Sequence, residues 1–132
     1  MKTDVELRDM IYLFVKSSAL ATTVRGDICK RERKDDSTTE DLCIAVLANQ
    51  FGEEQEAYVN VNIYVPDLKR GTSVESDDTR LRELCKLCTE VFALIVGDGY
   101  RITLDTQRVY AVDGKDEHFI NNKLLIQILN VK

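Results

Sequence analysis

Residues 56–66 read EAYVNVNIYVP, and this alternation constrains the fold more than any other segment. Val59, Val61, Ile63 and Val65 take every second position, with Tyr58, Asn60, Asn62 and Tyr64 between them. Side chains alternate across a strand, so one face is apolar and the other carries amides and phenols. β-branched residues pack well on such a pleated surface. The segment predicts a half-buried strand of an antiparallel or mixed sheet, its second face left for water or a partner.

The flanking segments supply the rest of that sheet and its cover. Thr3 and Glu6 have capping-box spacing, and Val5, Met10, Ile11, Phe14 and Val15 recur near helical spacing, predicting a first helix to about Ala21. Gly26-Asp27 reads as a turn, Ile28 to Arg33 as a short strand, and Lys34 to Glu40 as a mobile polar loop or hairpin arm. Asp41 to Gln50 reads as a second strand, hairpinned onto the third through Gly52-Glu53-Glu54. Pro66 ends that strand because it lacks a ladder N–H, and Asp67 to Glu75 is expected as a loop. Ser76 or Asp77 then caps a second helix with a stripe of Leu81, Leu84, Cys85, Cys88, Val91, Phe92 and Ile95, ended by Gly97 and Gly99. Tyr100–Asp105 and Phe119–Asn130 close the sheet, with Arg108–Val112 as a further piece. The expectation is a single α+β domain over residues 1–132. It is a two-layer sandwich in which a mostly antiparallel or mixed sheet of four to five strands packs against two helices, in the order α-β-β-β-α-β-β.

A 132-residue chain buries about two-thirds of its unfolded surface without a disulfide or metal staple. A net charge of −5 argues against direct nucleic-acid binding through an overall basic field. No apolar run approaches a membrane span, and MKTDVELRDM carries acids where a signal peptide has its apolar core. A cytoplasmic protein with reduced cysteines is expected.

Candidate chemistry is thin. Cys85-Lys-Leu-Cys88 lies about two turns inside the predicted helix, away from the N-terminus where a dipole would activate a thiol. Core packing is the plain reading; a zinc site would need Cys29 and Cys43 to face that helix. His118, the lone histidine, reads as a solvated strand-end residue rather than a general base. Gly97-Asp98-Gly99 follows a helix and precedes a strand, the reverse of a phosphate-cradling loop. Asp105, Asp113, Asp116 and Glu117 lack the spacing of a calcium loop and read as solvated turns. No catalytic residue, cofactor or metal is assigned.

Two groups suit contacts with other molecules. By strand alternation Arg31 and Arg33 share one face and Lys30 and Lys34 the other, either as contacts or as a charged edge that discourages pairing. Tyr58, Asn60, Asn62 and Tyr64 form an amphipathic strip of interface-prone residue types, exposed to solvent or covered by the chain's own loop.

In element order and in several segments the chain resembles the tail-terminator (tail-completion) proteins of long-tailed bacteriophages and prophages. The segments are the helix ending near Ala19-Leu20; Asp27-Ile28-Cys29-Lys30-Arg31 leading to a polar loop; the strands Asp41–Gln50 and Ala57–Val65 before Pro66-Asp67; the helix Asp77–Ile95; and Arg101-Ile102-Thr103-Leu104 with Leu124-Leu125-Ile126-Gln127-Ile128. The resemblance implies a non-enzymatic protein. It would form a homo-oligomeric ring, commonly a hexamer, that caps the tail tube and joins it to head-completion proteins, in the host cytoplasm and then in the virion tail. Arg31, Arg33, Asp35, Asp36, Tyr58, Asn60, Asn62 and Tyr64 are the expected contacts. Two alternatives stay open: a small cysteine-dependent metal-binding module or enzyme, and a monomeric adaptor that binds a partner at a sheet edge.

Overall fold

The computed structural model describes residues 1–129. The chain is α+β. Its elements are α1 (Asp4–Lys16), α2 (Leu20–Thr23), β1 (Ile28–Cys29), β2 (Leu42–Gln50), β3 (Glu54–Pro66), β4 (Leu68–Arg70), β5 (Ser73–Glu75), α3 (Asp78–Val91), β6 (Ile95–Gly97), β7 (Tyr100–Ala111) and β8 (Glu117–Leu129). Six strands form one mixed sheet in the order β1-β2-β3-β8-β7-β6, and β4 and β5 form a separate hairpin. Among the described residues only the β1–β2 pair is parallel.

The expected alternating strand is the centre of this sheet. β3 pairs along its whole length with β8, from Glu54 opposite Leu129 to Pro66 opposite Glu117. Ala57, Val59, Val61, Ile63 and Val65 are buried beneath the helices. Ile120, Leu124, Ile126 and Ile128 of β8 join them in a core with Leu7, Ile11 and Val15 of α1 and Leu81, Leu84 and Cys88 of α3. Register shifts at Val46/Ala48 in β2 and Leu104/Thr106 in β7 mark bulges. Bulges bend a strand and raise its twist, and the sheet is curled.

Several boundaries differ from expectation, each for a local reason. The Thr3–Glu6 capping box is present, but α1 stops at Lys16. The Ser17 and Ser18 hydroxyls donate to the carbonyls of Leu13, Phe14 and Val15. Such bonds compete with helix propagation, and the short α2 restarts at Leu20. Leu7 rather than Val5 faces the core, and Val5 is exposed. α3 ends at Val91, with Phe92 as its cap. Ile95 therefore belongs to a sixth strand, and Gly97-Asp98-Gly99 turns the β6–β7 hairpin, with Gly99 at a φ of +76°. Tyr100–Asp105 and Arg108–Ala111 are parts of one strand, β7, interrupted by its bulge, and Val112 lies just past its end. The sheet thus has six strands where four to five were expected, and α2 adds a third helix.

Gly26 marks a close approach. A Cβ there would collide with the Glu40 carbonyl oxygen, which accepts the Gly26 N–H at 2.8 Å. Gly26→Ala is expected to cost about 1–3 kcal/mol by forcing that backbone apart, visible as a lower midpoint in urea unfolding. No helix among the described residues is long and apolar enough to cross a membrane.

Candidate assembly surface

The face of the sheet turned away from the helices carries the four β3 residues among the expected contacts. Alternation places Tyr58, Asn60, Asn62 and Tyr64 there. Their partners across the β3–β8 ladder are Leu125, Lys123, Asn121 and Phe119. All four β3 residues are half-buried rather than open, because neighbours lean over them. The Lys123 ammonium lies 4.4 Å from the Tyr58 ring centre and 3.9 Å from an Asp105 oxygen. Asn121 donates to the Asn62 side-chain oxygen at 2.8 Å. The rings of Tyr64, Phe119 and Tyr110 make a row across β3, β8 and β7, with centroids 5.5 and 5.4 Å apart. The Asn60 side-chain oxygen is buried without a hydrogen-bond partner, an uncommon state for a polar atom.

Arg33 shapes one end of this face. β1 ends at Cys29, so residues 30–33 do not follow strand alternation and Arg31 and Arg33 do not share a strand face. Arg31 is exposed. Arg33 instead turns inward, its guanidinium 4.2 Å over the Tyr64 ring. Its Nε donates to Asp41 at 2.8 Å, Nη1 and Nη2 to Glu117 at 2.6 and 3.0 Å, and Nη2 also to the Thr39 carbonyl at 2.6 Å. Burial by itself would raise the Asp41 pKa. Hydrogen bonds from Arg33, Ser37, Thr39 and the Asp27 amide outweigh it and hold the carboxyl well below the usual range. The same pair of acids keeps Arg33 charged against its own burial.

A second internal arginine anchors the end of the loop. Arg80 of α3 grips Glu40 through Nε at 2.8 Å and Nη2 at 2.7 Å, and Nη2 also reaches the Thr23 carbonyl at 2.7 Å. Residues 34–40, expected as a mobile arm, are therefore tied at both ends. Lys115 adds a bond to the Asp35 carbonyl at 2.7 Å. Asp35 and Asp36 remain exposed at the tip.

The remaining candidates resolve by position. Cys88 is fully buried against Asn122, whose amide donates to its sulfur at 3.4 Å, and burial pushes the thiol up to about 12. Cys85 is raised by burial as well. Neither matches the depressed thiol that redox chemistry uses. Cys43 pairs with Asn62 on the outer face and Cys29 lies opposite it on β1, whereas Cys88 packs on the helix face. The four sulfurs cannot converge on one ion. His118 is no freely solvated strand end: its Nδ1 lies 2.7 Å from Asp67. Glu117 is a buried partner of Arg33, while Asp105, Asp113 and Asp116 are exposed. No protein-family model and no curated protein matches this chain.

Both long margins of the sheet carry unpaired backbone and apolar side chains. β1 covers β2 only at Leu42 and Cys43. Beside the rest of β2, Val5, Leu47 and Phe51 are exposed. At the other margin β6 covers β7 only from Tyr100 to Ile102. Leu94, Val96, Val109 and Tyr110 are exposed around it. A helix arginine that meets a loop acid 40 positions away, as Arg80 meets Glu40, and exposed residues at a strand margin have no signature in single-sequence periodicity.

Proposed function

We propose that this chain is a non-enzymatic assembly protein of a long-tailed phage or prophage, a tail terminator. It forms a homo-oligomeric ring, six copies being the family expectation, that caps the tail tube and offers a surface to head-completion proteins. It assembles in the host cytoplasm and stays in the virion tail. The resemblance in element order supplies the role. The observation that carries it is the pair of different apolar margins at opposite edges of one sheet. A ring built head to tail needs two unlike patches on each subunit, set at a closing angle. The half-buried outer face, with its aromatic row and amides, has the amphipathic composition of an interface core. The loop tip at Asp35 and Asp36, held by Arg33 and Arg80, is a preorganised contact that orders little on binding.

Native mass spectrometry across a wide concentration range tests this. A closed homo-oligomer that binds the tail-tube protein of the same phage is the expected result. A monomer at every concentration, with no affinity for tube subunits, would overturn it and bring forward the adaptor that binds one partner strand at a sheet edge.

A further inference from the structure

Resting on the ring reading, we propose that neighbouring copies join edge to edge, β7 of one subunit adding to β2 of the next, so that one sheet continues around the assembly. Among the described residues, β2 from Ile44 to Gln50 has no strand on its outer side. β7 is likewise open from Asp105 to Ala111, after the Leu104 N–H bonds to the Phe92 carbonyl. The two free stretches span matching lengths. Open ladders of this kind are templates for another strand.

Direction and fit favour a second copy as the occupant. The pairs β2–β3, β3–β8 and β8–β7 are each antiparallel, so β2 and β7 run in opposite senses within one subunit. Within one subunit Ile44 lies level with Gln107, through Val61 and Asn122, so a rotation about an axis inclined to the strands, sliding each copy four residues past that level, sets Ile44 toward Ala111 of the next copy and keeps the junction antiparallel. The Leu42 end of β2 then lies toward the Ala111 end of β7. β1 occupies the first of these ends in its own subunit, and β6 occupies the Tyr100 end of β7, so the two short strands fall at opposite ends of the joint and do not compete.

Charge points to the same alignment. Beside Ile44, Ala45 and Val46 lies a cleft of about 590 Å³, lined also by the cations Arg8, Lys30 and Arg31 and by the acids Asp4 and Glu32. The Arg8 Nε is buried there with no acceptor, and Arg31 makes no ion pair among the described residues. The antiparallel joint brings to this cleft the end of β7, where Asp113 follows two residues beyond Ala111, exposed and without an ion pair among the described residues. An acidic side chain from the adjoining copy supplies what the two guanidiniums lack.

The test uses the full chain and two surface variants, Arg31→Glu and Asp113→Lys, with native mass and sedimentation at low and high salt. Each single reversal is expected to raise the concentration for half-assembly by roughly tenfold at low salt, and the combined variant to restore most of the loss. Amides of residues 44–50 and 105–111 should exchange more slowly in the oligomer than in dilute monomer. A wild-type oligomer indifferent to both reversals, with no such protection, would overturn the edge joint and leave the ring standing. A wild type that stays monomeric would overturn the ring and the joint together.

Discussion

Arg33→Met is expected to lower the unfolding free energy by about 3 kcal/mol, because it removes the cation shared by two buried carboxylates and, among the described residues, leaves Asp41 only its neutral donors and Glu117 only the Lys115 ammonium at 4.0 Å. Asp41 and Glu117 are 2 % and 4 % exposed, and Arg33 is the cation that meets both. A buried pair broken on one side costs more than the pair itself contributes. Arg33→Lys should fall between wild type and Met: it keeps the charge but loses the fork that meets two acids and a carbonyl at once. Urea titration of the three proteins measures this; a Met variant within about 1 kcal/mol of wild type would show the cluster to be energetically idle.

Acid gives the same cluster a signature. The folded-state pKa of Asp41 is depressed below its unfolded value. Its contribution is therefore fully present above the ordinary carboxylate range, near pH 4, and is lost as pH falls toward the folded value. Wild type should lose stability on acidification below about pH 5. The gap between wild type and Arg33→Met should narrow over the same range, since protonation removes the charges that need the guanidinium.

Phe92→Ala is the second large effect, at about 3–5 kcal/mol. Phe92 is fully buried at the end of α3, its N–H bonded to the Cys88 carbonyl at 2.9 Å and its own carbonyl accepting from Leu104 at 3.1 Å. Its ring lies 6.1 Å from that of Phe14 on α1. One side chain thus touches both helices at the point where α3 hands the chain to β6 and β7. Removing the ring leaves a cavity that neighbours tied by backbone bonds cannot readily close. For a domain of this size the loss corresponds to a fall in Tm on the order of 10 °C, readable by circular dichroism.

The strands with strict alternation were legible because burial on one face writes a period of two into the residues themselves. β3 and the Leu124–Ile128 part of β8 are of this kind. The first-helix start was legible from Thr3 and Glu6, since a capping box is a local bond between near neighbours. The end of α3 was not. Val91, Phe92 and Ile95 continue a helical stripe in sequence, yet Ile95 gains more by pairing with Ile102 across a hairpin. Arg33 was placed on a strand face by alternation, whereas its carboxylate partner Glu117 lies 84 positions away. Of the proposed contact strip, Tyr58, Asn60, Asn62 and Tyr64 were placed on one face by sequence, and Asp35 and Asp36 at a loop tip. Their cover by Lys123, Asn121 and Arg33 comes from other strands and a distant loop.

The sequence by itself determined the α+β class, the alternating strand at residues 56–66 and the division of that strand into a core side and an amphipathic side, because these follow from the pattern of apolar residues within a few positions of one another. Only the tertiary structure decided the order of strands, the partners of Arg33 and Arg80, and the two open margins. Those depend on which distant segments come to lie side by side, and the free energy that selects among such pairings belongs to the packed molecule rather than to any window of the chain.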